Sequence, residues 1–107
     1  MERTRWMNLS FEVRKTVLTA KISGELDHHN AKNLREKIDL KLASGIYNVL
    51  IFDFTNLQFM DSSGIALIMG RVKNMEAVSG YVKIRVRDDK IIKILKMAGI
   101  HNFAEII

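Results

Sequence analysis

Residues 49–54 read VLIFDF, five apolar residues around a single aspartate. A run this short and this apolar is the mark of a strand with both faces covered, as in sheets that lie beneath helices. The flanking sequence supplies candidate helices. Upstream, Ala31, Leu34, Ile38 and Leu42 recur at helical spacing, with Asp27 or Asn30 placed to cap the start and Gly45 where a left-handed C-cap belongs. Downstream, a helix beginning near Ser62 carries Ile65, Ile68, Val72 and Met75 on one stripe and stops before Gly80. Strand alternating with helix predicts parallel crossovers, almost always right-handed.

The remaining segments complete the pattern. Leu9, Phe11 and Val13 alternate with polar neighbours, and Leu18, Ala20 and Ile22 do the same up to Gly24, which predicts an antiparallel hairpin. YVKIRVR alternates again. DDKIIKILKMAG predicts an Asp-capped helix with Ile91, Leu95 and Ala98 inward and Gly99 closing it, and FAEII one more short strand. The expected order is ββαβαβα plus a short terminal β: an α/β fold with a mixed central sheet covered by helices. Without prolines, linkers or repeats, residues 1–107 are expected to form one domain.

A chain of 107 residues buries roughly two-thirds of its unfolded surface without needing staples. It has no cysteine, which excludes disulfides and thiolate metal sites. No apolar run approaches the roughly 20 residues of a membrane span, and the first residues carry no signal-peptide core, so a cytoplasmic protein without membrane attachment is expected. The net charge of +5 would suit nucleic acid. The basic residues are scattered, however, and Trp6 and Tyr81 lie far apart, so solvated faces are the better reading.

In open α/β sheets, functional groups gather beyond the carboxyl ends of the strands. Two loops fall there, GELDHH and FMDSSG, each after a strand and before a helix. The topology predicts that they are neighbours. Taken alone, Asp61-Ser62-Ser63-Gly64 is a helix cap.

GELDHHNAKNL, FMDSSGIALIMGRVKNM and ILKMAGI closely resemble the anti-sigma factor antagonists of the STAS domain family (sulfate transporters and anti-sigma antagonists). The resemblance runs from about Leu9 to Ile107, and the double histidine after GELD narrows it to the sporulation branch over the general-stress branch. Such antagonists usually continue into a further C-terminal helix; this sequence stops at Ile107. The resemblance implies a switch and not an enzyme, without a cofactor. An anti-sigma factor serine kinase binds the unphosphorylated antagonist and releases its sigma factor. The kinase then phosphorylates the first serine of the motif, here Ser62, and a metal-dependent phosphoserine phosphatase resets it. The resemblance further implies that Asp27 lies near Ser62, orienting it or meeting the partner, and that the free protein is a monomer.

The residues themselves are compatible with that implication. A phosphate at a helix N-terminus meets unpaired N–H groups, and it adds about −1.5 to −2 charges beside Asp61. Gly64 is expected to leave room for a kinase active site. Opposite the apolar stripe lie Ser63, Leu67, Gly70, Arg71 and Asn74, expected to form an exposed partner surface together with Asp27, His28, Asp61 and Gly64. The alternative is a STAS-type domain that holds a nucleotide or other anion directly at the Ser62 helix mouth.

Other chemistries are weaker. Asp27, His28 and His29 lack a third ligand for a metal. Asp53 resembles the aspartate of a phospho-receiver, but no acidic pair follows the first strand to hold magnesium. The serines have no Gly-x-Ser-x-Gly elbow and no evident base. The six methionines are read as core filler.

Overall fold

The computed structural model describes residues 6–107; the first five residues of the expected domain lie outside them. The chain runs β1 (Met7–Arg14), β2 (Val17–Leu26), α1 (Ala31–Ala43), β3 (Val49–Asp53), β4 (Leu57–Met60), α2 (Ser62–Glu76), β5 (Tyr81–Arg85), α3 (Asp89–Met97), a 3-10 turn (Ile100–Asn102) and β6 (Glu105–Ile106). The strand order is β1-β2-β3-β5-β6, with β4 also paired to β2. The hairpin β1–β2 is antiparallel, and the pairs β2–β3, β3–β5 and β5–β6 are parallel. This is the expected mixed α/β sheet, with β4 as an element the sequence reading did not foresee.

β4 positions the site. β3 pairs with β2 along Val17–Lys21, and β4 takes up the same strand from Gly24 to Leu26. Because β1 holds the other edge of β2 over its length from Val17 to Gly24, β3 and β4 are two halves of one interrupted strand. The interruption is a tight turn. Asp53 Oδ1 accepts hydrogen bonds from the Thr55 amide (3.0 Å) and hydroxyl (2.6 Å), and the Leu57 amide reaches back to the Phe54 carbonyl (3.0 Å). Across the gap the register of β2 slips between Gly24 and Glu25. Gly24 sits there at φ +90°, with the Trp6 carbonyl and indole lying where a Cβ would project. β2 therefore runs on to Leu26 and does not end at Gly24 as the alternation suggested.

One core joins Leu18, Ala20, Ile22, Leu50, Phe52, Val82 and Ile84 of the sheet to Leu34 and Ile38 of α1, Leu67, Ile68, Val72 and Met75 of α2, and Ile91 and Leu95 of α3. The in-register rows Leu18–Leu50–Val82 and Ala20–Phe52–Ile84 form its floor. The expectation that VLIFDF is covered on both faces is overturned. Ile51 and Asp53 point to the other side, where Thr19, Lys21, Lys83 and Arg85 stand beside them, and that face is partly exposed. The reason is topological. The parallel steps β2 to β3, β3 to β5 and β5 to β6 all move the same way across the sheet, so crossovers of one hand place every helix on one face. On the open face, burial pushes the Asp53 carboxyl up, but its bonds to Thr55 and the nearby Arg85 outweigh this and hold it below the usual carboxylate range.

The helix ends follow local chemistry. Asp88 caps α3, accepting from the amides of Lys90 (2.8 Å) and Ile91 (3.3 Å), and Gly99 follows it at φ +77° as expected. Gly45 is not left-handed; α1 closes on Ser44, whose φ is −84°.

Candidate functional site

The two loops predicted to be neighbours do meet. With β4 in line beside the end of β2, the Asp61 amide donates to the Leu26 carbonyl (3.2 Å). The Asp61 side chain then serves two elements. Its Oδ1 accepts from the Ser63 amide (2.8 Å), capping α2, while Oδ2 accepts from the His28 amide (3.3 Å) in the other loop. The exposed His28 imidazole stands 3.7 Å from the same Oδ2, and its ring lies 4.0 Å, centre to centre, from that of His29.

Asp27 occupies a different position from the one a partner-facing role requires. It is 1% exposed, and its carboxylate accepts from the amides of His29 (2.9 Å) and Asn30 (3.3 Å). It holds the loop in shape from inside. Asn30, expected only as a possible cap of α1, completes this framework instead. Its Nδ2 donates to the Glu25 carbonyl (2.6 Å) and its Oδ1 accepts from the Asp27 amide (3.0 Å). As the residue before α1 it makes no side-chain cap bond to that helix.

Ser62 is the first residue of α2 and is exposed; Ser63 is half-buried. The α2 first turn contains no acidic residue, leaving the positive end of the helix dipole to Asp61 alone. Gly64 is buried and faces inward, contrary to the expectation that it opens the turn. A Cβ there would overlap Met60 Cγ and Sδ and approach Leu26 Cδ2 to 3.1 Å. Its lack of a side chain lets α2 close onto β4 and β2, which sets where Ser62 stands.

The helix face expected to be exposed is divided. Leu67 (3% exposed) and Arg71 (7%) are buried, whereas Asn74 is exposed and Gly70 half-exposed. Leu67 and Arg71 turn toward α1, so α2 buries a wider arc than one stripe. Between the helices runs a groove of about 370 Å³ lined by Ala31, Lys32, Arg35, Ser63, Ala66, Leu67, Gly70 and Arg71. At its far end Asp39 of α1 bridges to α2, with Oδ1 3.0 Å from Arg71 Nε and 3.4 Å from Asn74 Nδ2. Nothing lies within 4 Å of where a Gly70 Cβ would stand. Lys32, Arg35 and Asp39 were missed; their spacing along one side of α1, next to the Leu34–Ile38 stripe, is the sequence signal that marks them.

Comparison with known proteins gives this arrangement a family. The STAS domain description matches residues 8–107. An anti-sigma F factor antagonist of Lysinibacillus sphaericus is 34% identical over 92 residues, covering 86% of this chain and 78% of the relative. The fold matches the anti-sigma factor antagonist SpoIIAA in its unphosphorylated form with a TM-score of 0.82 at 30% identity, over 94% of this chain and 88% of that one. The phosphorylated form of the Bacillus cell fate determinant SpoIIAA matches with a TM-score of 0.73 at 30% identity, over 94% and 91%.

Proposed function

The chain belongs to the STAS domain family, and from that membership we propose that it is an anti-sigma factor antagonist switched off by phosphorylation of Ser62. One observation carries the assignment to Ser62: its residue is exposed at the first position of α2, beside the Asp61–His28 contact, in a chain whose structural relative is known in unphosphorylated and phosphorylated forms. The unphosphorylated chain binds an anti-sigma factor serine kinase and frees the sigma factor. The kinase modifies Ser62, and a phosphoserine phosphatase restores it. The chain is thus a cytoplasmic substrate and switch, monomeric when free, and not a catalyst.

Local charge is enough for such a switch. A phosphate at Ser62 adds about −1.5 to −2 charges at a helix N-terminus, where the antagonist's own fold tolerates them. Across an interface, a partner group of like charge ~6 Å away at an effective dielectric of ~20 would be repelled by roughly 3 kcal/mol per unit charge. That is about a hundredfold in affinity. The docking surface comprises His28, Asp61, Ser63 and the groove wall at Gly70, Arg71 and Asn74. Asp27 and Gly64 support it from beneath, and Leu67 underlies the groove.

Incubation with the anti-sigma factor kinase and ATP should place one phosphate on Ser62, mapped by tandem mass spectrometry. Ser62→Ala should bind the kinase and remain unmodified. Gly70→Trp should keep its melting temperature, because the site is open, and lose kinase binding. Phosphate on Ser63, or tight calorimetric binding of nucleotide to the chain alone, would overturn the reading.

A further inference from the structure

The groove between α1 and α2 carries more positive charge than the packing of the two helices uses. We propose that it seats a carboxylate-bearing segment of the protein partner, anchored on Arg71 and guided by Lys32 and Arg35. This rests on the reading of α2 as a docking helix and adds the chemistry of what docks there.

Arg71 is the reason. Its side chain is 8% exposed, and although Nε lies 3.0 Å from Asp39 Oδ1, neither Nε nor Nη1 makes a hydrogen bond to a described residue. Arginine has five N–H donors and no acceptor, and a buried guanidinium with unfilled donors is costly to maintain. Burial lowers the Arg71 pKa; Asp39 opposes this, while the neighbouring positive charge of Arg35 adds to it. A second carboxylate meeting the guanidinium where Arg71 lines the groove would add a favourable charge to this half-compensated cation and offset the repulsion from Arg35. The rim is prepared for it: Lys32 and Arg35 are exposed, and no ion pair joins either to another described residue.

The shape favours a peptide segment over a small anion. Half of the lining, Ala31, Ala66, Leu67 and Gly70, is apolar or lacks a side chain. Lys32 and Arg35, three residues apart on α1, are separated by about 4.5 Å along the helix axis. Apolar surface beside cationic side chains suits the mixed acidic and apolar face of a docked peptide better than a fully charged small anion.

The test uses the full chain, with Lys32 and Arg35 reversed because both are exposed and their replacement spares the core. With the anti-sigma factor as partner, Lys32→Glu/Arg35→Glu should bind about tenfold more weakly by calorimetry, with a shallower salt dependence and an unchanged melting temperature. A helical peptide of Glu, Ala and Leu serves as an independent probe. It should shift the amide resonances of residues 31–35 and 70–71, and its Gln counterpart should not. Unchanged affinity of the double variant, equal shifts from the Gln peptide, or the same shifts from inorganic phosphate would each overturn the proposal. If the wild-type chain fails to bind the anti-sigma factor while the Glu peptide still docks, the groove chemistry stands and the functional reading falls.

Discussion

Two helices of this chain start on an aspartate, and they use it differently. At α3, one oxygen of Asp88 takes both the Lys90 and Ile91 amides, and Asp89 adds a second acid to the first turn. At α2, Asp61 gives one oxygen to its own helix and the other to His28, and no acid follows in the first turn. The third helical residue differs as sharply: Ile91 is a core side chain, whereas Gly64 has none and leaves its space to Met60. The α3 start is built wholly to hold α3. The α2 start is tied to a second loop and still has room for negative charge, and both properties suit a helix end that carries a switch.

Exchanging the features of the two starts should expose the asymmetry, and the third helical residue should respond most. Ile91→Ala should cost about 2–5 kcal/mol in denaturant unfolding, through a cavity in the shared core. Gly64→Ala should also destabilise, by about 1–3 kcal/mol, through overlap with Met60 and Leu26. Adding a methyl would then harm one helix start as deleting side chain harms the other.

The caps come next. Asp88→Ala and Asp61→Ala should each lower stability by about 1 kcal/mol. Only Asp61→Ala should displace the His28 amide resonance, because only that cap is shared between loops. An unmoved His28 signal would remove the distinction.

The smallest effect concerns charge in the first turn. Ser62→Asp should leave thermal stability unchanged or raise it by about 0.3–1 kcal/mol, while Asp89→Asn should lower it by a similar amount. A clear fall in melting temperature for Ser62→Asp would mean that negative charge is not tolerated at α2, and a phosphate there would have to act by distorting the fold.

Much of this was legible from periodicity. The three helices, β5 and the meeting of the two loops follow from apolar spacing and crossover topology. β4 was not, because Leu57-Gln58-Phe59-Met60 buries only its two ends and shows no alternation. VLIFDF misled for a related reason: an apolar Ile51 can stand on an open face among Thr19 and Lys83 when every crossover lies on the other side. The burial of Leu67 and Arg71 was equally hidden. It depends on α1 lying alongside α2, and on an Asp39 that no local pattern in α2 announces.

The interrupted strand also has a consequence in time. The β1–β2 hairpin closes locally, but the Asp61–His28 bond joins residues 33 positions apart and needs β4 seated on β2. Closing so long a loop carries an entropic cost that a hairpin avoids, so pairings of this kind form late. On the ribosome, none of the proposed docking surface can exist until β4 and the start of α2 have emerged. A nascent or partly unfolded chain would display the serine without the geometry around it. An enzyme that recognises the assembled loops would therefore act only on completed molecules, and the architecture of the sheet would double as a proofreading step.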